Sequence, residues 1–448
     1  MRYDVIVVGG GPAALAFSRT FRELYPERKL LVIRRTEKQP IPCAVPYIVG
    51  RLKGVDNNIF SDDIYSQMAI DLVIDEVIEI DRKRKIVRTR SGREFGYNKL
   101  VIATGTSPTR IPIEGIDLKN VVFVFKEYKA LKEVYKVLSR AERLVIVGAG
   151  FVGLEFADDL ADGREIHIVE ILNEALPLSF DKEFGALARR ELEMKGVRFH
   201  LQKSIRKIVG SDKVEKVILS DGTELEADAV LIAVGVKPNS ELAVKAGLRV
   251  DELGHIIVDD YMRTNDPDIL AIGDVAQKKD FLFGKPMKAY FSTLAITEGR
   301  IAAMNIYSPG KIKAPTRILP VFATKIGRIA LAAAGLIERV ANRMGIEVIP
   351  VTVEVINRHP AKLPNAEKIL FKALFEEETM RIIGAQIAGP ETVVEIINSV
   401  AITIELGLTA YQILTLQYAT QPLLTPSPSN NPLRRAAYEA IMLKRKES

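Results

Sequence analysis

Residues 3–24, Tyr3-Asp4-Val5-Ile6-Val7-Val8-Gly9-Gly10-Gly11-Pro12-Ala13-Ala14-Leu15-Ala16-Phe17-Ser18-Arg19-Thr20-Phe21-Arg22-Glu23-Leu24, decide the fold. The apolar, β-branched run from Tyr3 to Val8 reads as a strand, and Leu15 to Leu24 carries a helical pattern. Gly9, Gly11 and Ala14 between them make a G-x-G-x-x-A turn that includes Pro12. The first glycine makes the tight turn, Gly11 lets backbone N–H groups approach a pyrophosphate, and Ala14 permits close helix packing. Strand, turn and helix in this order predict a dinucleotide-binding unit.

The unit occurs twice. Arg143 to Val147 is a second apolar strand, followed by Gly148, Gly150 and Gly153 in a full G-x-G-x-x-G and a helical run from Leu154 to Leu160. Each turn is followed downstream by a hairpin and a returning strand. Ser91-Gly92 precedes Lys99 to Ala103, which closes on Thr104-Gly105, and Asp221-Gly222 precedes Ala229 to Val234, which closes on Gly235. The two copies differ where an acid should meet a ribose hydroxyl. In the second, the strand Glu165 to Val169 ends in Glu170, twenty residues beyond Gly150, so NADH is expected over NADPH. In the first, Lys29 to Ile33 ends in Arg34-Arg35, and Glu37 is the nearest substitute.

Between the copies lies the one cysteine of the chain, Cys43, in Gln39-Pro40-Ile41-Pro42-Cys43-Ala44-Val45-Pro46-Tyr47. A thiolate attacks disulfides and peroxides, and Pro46 fits the first turn of a helix whose N-terminus favours an anion. The competing reading of a lone cysteine is a small buried hydrophobe.

The 448 residues allow two or three domains. A net charge of +6, from 63 basic against 57 acidic residues, forms no basic block, so nucleic-acid binding is not indicated. One cysteine excludes an internal disulfide framework and multiple-cysteine zinc sites, and suits a cytoplasmic location. No run of about 18 uncharged apolar residues predicts a membrane span.

The order GGGPAALA, a lone cysteine followed by proline and tyrosine, VIATG, VGAGFVGLE, LIAVGVKPN and ILAIGD resembles the flavin-dependent pyridine nucleotide disulfide oxidoreductases. The single cysteine is similar to the subgroup of NADH oxidases, NADH peroxidases, coenzyme A disulfide reductases and persulfide reductases. The resemblance implies an α/β protein with two Rossmann-like domains, the second inserted in the first, and a C-terminal α+β dimerisation domain. On this reading residues 1–112 and 244–315 bind FAD, 113–243 bind NAD(P)H and 316–448 pair two chains as a homodimer. It also implies that Asp274, after Gly273, bonds the ribityl chain of FAD, and that Glu155 lies near the nicotinamide.

Gly9, Gly11, Pro12, Ala14, Ala103, Thr104 and Gly105 then line the flavin site, and Gly148, Gly150, Gly153, Glu155, Glu170 and Gly235 the nicotinamide site. Pro422, Pro426, Pro428 and Pro432 fall in a loop like the one a partner subunit places over the flavin. The paired-cysteine relatives carry a histidine acid in that loop, where this chain has Gln421. Tyr418 is the candidate donor instead, and His359 could serve locally. Arg19 and Arg22 match positions that hold the phosphates of coenzyme A. The implied activity passes electrons from NADH through flavin and Cys43 to a small acceptor: oxygen, peroxide, a disulfide, a persulfide or a polysulfide. A reductase of small iron–sulfur proteins, ferredoxin or rubredoxin, and a flavin redox sensor, both with a structural cysteine, are the alternatives.

Overall fold

The computed structural model describes every residue except Pro309, Lys311, Thr316 and Ser448, and the side chain of Glu447. The expected domain boundary at Thr316 therefore lies outside the described residues. Backbone contacts group the chain into two units, the first comprising Met1–Pro112, Val122–Ala141 and Val234–Ile318, the second Ile113–Val121, Glu142–Ala233 and Leu319–Ser448.

In the first unit, parallel strands run in the order Asp71–Ile74, Leu30–Arg34, Arg2–Val8, Glu94–Ile102, with Ile269–Ala271 also parallel to Glu94–Ile102. Val5, Ile6, Leu31, Val32, Leu100 and Val101 are fully buried, as strands covered on both faces must be. The helix after the first strand is Pro12–Leu24. It begins earlier than the apolar pattern shows, because proline is compatible with a first helical turn. Gly9 has φ +125°, and a Cβ there would lie 2.1 Å from the carbonyl oxygen of Ala103, so the returning strand fits only beneath a glycine.

A second long helix, Ser292–Asn305, crosses Pro12–Leu24. At the crossing a Cβ on Gly299 would stand 2.4 Å from the Ala13 carbonyl oxygen and 3.0 Å from the Phe17 nitrogen. The turn Gly273–Val275 abuts the same helices, with Gly273 donating its N–H to Glu298 at 2.8 Å. Glu298 forms a buried ion pair with Lys278, at 2.9 Å, and Lys278 also donates to the carbonyls of Gly273 and Ala276.

In the second unit, parallel strands run Ala229–Ile232, Arg143–Val147, Glu165–Glu170, Arg198–Leu201, and an antiparallel meander joins Ile205–Val209, Lys216–Leu219 and Glu224–Glu226. The C-terminal part is a five-stranded antiparallel sheet in the order Val321–Ile326, Ile329–Gly335, Ile382–Gly389, Lys368–Glu376, Val348–Ile356, packed by Val393–Glu405 and Pro432–Glu447. Within this unit Lys372, buried in the sheet, pairs with Asp181 at 2.9 Å, Glu183 at 2.7 Å and Glu338 at 2.6 Å. Gln386 closes the network by donating to Asp181 at 2.6 Å. Pro432, expected in the proline-rich loop, is instead the first residue of the last helix, a place its fixed φ suits.

In an ordinary helix, glycine to alanine stabilises by about 1 kcal/mol. At Gly299 the new methyl meets backbone that cannot swing away, so Gly299→Ala is expected to destabilise by about 1–3 kcal/mol, read as a lower thermal midpoint.

Candidate functional site

Cys43 is exposed, which excludes the buried-hydrophobe reading. It lies in a short 3-10 helix, Pro42–Tyr47, that starts at Pro42. Pro46, expected to open a helix, sits inside it, because a 3-10 turn of six residues needs few of the N–H bonds that proline removes. The Cys43 sulfur lies 2.7 Å from the hydroxyl of Ser292, the first residue of Ser292–Asn305. Nothing in sequence spacing pointed to that serine, since 249 residues separate the two.

The first glycine turn ends at Gly11, where a side chain would meet no atom within 4 Å, and no side chain caps the helix that begins at Pro12. Its first turn is thus left without a side-chain partner among the described residues, the polarity a pyrophosphate requires. Ala14 is buried in the helix contact. Beyond the returning strand, Thr104 donates to the carbonyl of Asn239 at 2.7 Å, Asn239 donates back to the Thr104 carbonyl at 2.9 Å, and Gly105 has φ +66°.

Asp274, on the Gly273–Val275 turn, has its carboxylate 3.1 Å from the Lys126 ammonium, and the Thr106 hydroxyl lies 3.4 Å away. Lys126 also reaches Thr106 at 3.2 Å. Neither Lys126 nor Thr106 carried a signal in the sequence, because only the fold brings 106, 126 and 274 together.

Arg34 is buried, and its guanidinium meets Asp62 in a two-pronged pair with contacts of 2.7 and 2.5 Å. It also donates to the carbonyls of Thr36 and Glu37. Glu37, the expected substitute acid, is exposed and turns its carboxylate toward Lys129 at 3.9 Å. The acid that answers Arg34 is thus Asp62, which no spacing rule marks. Arg19 and Arg22 do not converge on one point. Arg19 pairs with Glu23 on the surface at 3.0 Å, and Arg22 donates to the carbonyls of Pro26, Arg28 and Ala69 at 2.7–2.8 Å.

In the second unit Gly148 has φ +103°, and Gly150 opens onto space free of other atoms within 4 Å, ahead of the uncapped helix Phe151–Leu160. A Cβ on Gly153 would lie 2.1 Å from the Gly148 carbonyl oxygen, so this position admits only glycine. The Glu170 carboxyl accepts from the N–H groups of Ala149 at 2.8 Å and Leu172 at 2.9 Å, which fixes it beside the turn. Gly235, with φ +100°, belongs to the first unit. These glycine cradles and carboxyl groups fit dinucleotides in both units.

Glu155 accepts from the Thr324 hydroxyl at 2.8 Å. Burial pushes its carboxyl up to about 7, with the nearby Asp158 adding to the effect and the Thr324 bond opposing it. Asp158 is itself paired with Lys195 at 2.8 Å. Tyr418 carries a buried hydroxyl with no hydrogen-bond partner among the described residues, and burial pushes its pKa above the ordinary phenol value. His359 lies in the same unit, its Nδ1 2.9 Å from the Thr425 carbonyl and its N–H donating to the Pro422 carbonyl.

A folded-state value raised to about 7 means that Glu155 adds stability below its unfolded value and loses it as pH rises through 7. Glu155→Gln is therefore expected to be stabilised relative to the parent at pH 8, by up to about 3 kcal/mol, and to match it at pH 4. Thermal melts at the two pH values check this.

Residues 3–294 match the family described as pyridine nucleotide-disulphide oxidoreductase, and residues 321–431 match the dimerisation domain of that family. An NADH oxidase of Methanocaldococcus jannaschii is 31% identical, covering 97% of this chain and 98% of its own. An NAD(P)H coenzyme A polysulfide/persulfide reductase of Pyrococcus horikoshii is 30% identical, covering 95% and 96%. The solved structure of an NAD-dependent persulfide reductase from A. fulgidus superposes with a TM-score of 0.93 at 32% identity, over 100% of this chain and 84% of that one. No helix among the described residues is long and apolar enough to cross a membrane.

Proposed function

This chain belongs to the pyridine nucleotide-disulphide oxidoreductases, enzymes that use FAD and NAD(P)H, and from that membership we propose an NADH-preferring oxidoreductase working through Cys43. Its acceptors are oxygen or peroxide, or a disulfide, persulfide or polysulfide. The observation that carries the reading is the exposed, solitary sulfur at the start of the Ser292–Asn305 helix, in the same unit as the first glycine cradle and Asp274. Exposure also weighs against the alternatives that need a structural cysteine.

Residues 1–112 and 244–315 are assigned to FAD, 113–243 to NAD(P)H and 316–448 to a homodimer contact. Gly9, Gly11 and the N–H groups after Pro12 hold the pyrophosphate of FAD, and Asp274, oriented by Lys126, takes a ribityl hydroxyl. Gly148, Gly150 and Gly153 cradle NADH, and Glu170 accepts from the adenosine ribose while repelling a 2′-phosphate. Glu155 meets the nicotinamide end. When bound, FAD supplies the electron pair that NADH delivers as hydride.

Cys43 acts as the nucleophile. Its thiolate attacks the outer sulfur of a polysulfide, an S–S bond to Cys43 forms, and the shortened polysulfide anion departs with the electron pair of the broken bond. Such leaving groups need no strong acid. Tyr418, with its unpartnered hydroxyl, is the proton donor for more basic ones. Binding of coenzyme A rests on Arg19, since Arg22 is held by three carbonyls. The single cysteine suits a cytoplasmic setting.

Steady-state assays of Cys43→Ser with oxygen, coenzyme A disulfide and polysulfide test the mechanism. Sulfur-acceptor turnover is expected to fall by about a thousandfold or more, and undiminished turnover of all three acceptors would remove the cysteine from the reaction. In the parent enzyme kcat/KM for NADH is expected to exceed that for NADPH by about tenfold or more, an advantage that shrinks in Glu170→Ala.

A further inference from the structure

We infer that Ser292 is a catalytic residue of this enzyme: its hydroxyl donates a hydrogen bond to the Cys43 sulfur anion and aims it at the acceptor. The inference rests on the proposed role of Cys43 and deepens it. Oγ and Sγ are 2.7 Å apart, within hydrogen-bond reach, and either atom can be the donor. A serine hydroxyl rotates to suit, so it accepts from the thiol and donates to the thiolate. Ser292 does not use that hydroxyl to cap its helix, whose N-cap position is Phe291 and whose first turn has no side-chain cap. The first-turn N–H groups of a 14-residue helix add positive potential at the same end.

Three fastenings hold Ser292 in place. Two residues upstream, the Tyr290 hydroxyl meets Nε2 of the fully buried His255 at 3.1 Å, and the His255 Nδ1 stands 3.4 Å from Asp251. Six residues downstream, Glu298 is tied to Lys278 and to the Gly273 N–H. One residue further, Gly299 lies against Ala13. The hydroxyl is thus presented to the sulfur from a rigid element, as a positioned hydrogen-bond donor requires.

Because Cys43 is the only cysteine, iodoacetamide alkylation of the reduced holoenzyme reads the sulfur directly, without turnover. At pH 7 the second-order alkylation rate of Ser292→Ala is expected to fall about fivefold, because the sulfur loses the donor that holds it. Ser292→Thr, which keeps the hydroxyl, is expected to stay within about twofold of the parent, and kcat with polysulfide to follow the same order. An unchanged alkylation rate in Ser292→Ala, or a threonine variant as slow as the alanine one, overturns the inference. Run beside them, Cys43→Ser separates the two claims. If it still turns over polysulfide, the proposed function itself fails, and if it is inactive while Ser292→Ala behaves as the parent, only the role of Ser292 falls.

Discussion

The chemistry of the first unit depends on how closely two helices cross. Pro12–Leu24 carries the first glycine turn at its start, and Ser292–Asn305 carries the serine that touches the sulfur at its own start. Their separation is set at Gly299, which lies against the Ala13 carbonyl with no room for a methyl group. Packed interiors transmit such constraints because they have few voids to absorb them. The buried Lys278–Glu298 pair then locks the Gly273–Val275 turn onto the same helix, so that Asp274 and Ser292 share one rigid support. A buried ion pair is weak evidence of net stability. Its worth here lies in geometry, because Lys278 satisfies two carbonyls of the turn and Glu298 a third backbone group.

The second unit solves a similar problem with a carboxyl group. Glu170 accepts two backbone N–H bonds beside the glycine turn, so its carboxyl is already fixed by its own chain. In the first unit the corresponding place holds Arg34, and Asp62 neutralises it from another segment. The two copies therefore share a glycine turn and differ in the charge that stands beyond it. That difference follows from local electrostatics: a carboxyl alone repels a 2′-phosphate, whereas a paired arginine presents little net charge.

The repeated strand-turn-helix was legible because it is local. Gly9 to Ala14 and Gly148 to Gly153 each encode a turn, an open approach and a close packing contact within six residues, and the parallel strands follow as apolar runs. The C-terminal sheet was legible only as segments, since antiparallel register over 321–389 is set by pairing that no short window displays. The site was half legible. Cys43, Asp274 and Glu170 stood in motifs, whereas Ser292, Lys126 and Asp62 reach their partners across 249, 148 and 28 residues. Pro46 misled for a different reason. Proline is compatible with a helix start and with the interior of a 3-10 turn, and only the partner bonds distinguish the two.

The fate of the histidines bears on which acceptors fit. The chain has four, and His255 is the one within the first unit. It is fully buried, its pKa held below the ordinary imidazole value by desolvation, with Nε2 on Tyr290 and Nδ1 beside Asp251. Lys278 and Lys288 disfavour its charged form further, while Asp251 opposes them. Tyr290, pushed up to about 12 by burial, does not ionise near neutrality either. His255 is thus a neutral anchor for the segment leading to Ser292 and no source of protons for the sulfur. What this unit offers Cys43 is a hydroxyl and a helix end, groups that stabilise an anion without protonating a leaving group. Acceptors whose products leave as stable anions, such as persulfides and polysulfides, match that environment better than those that release a basic thiolate.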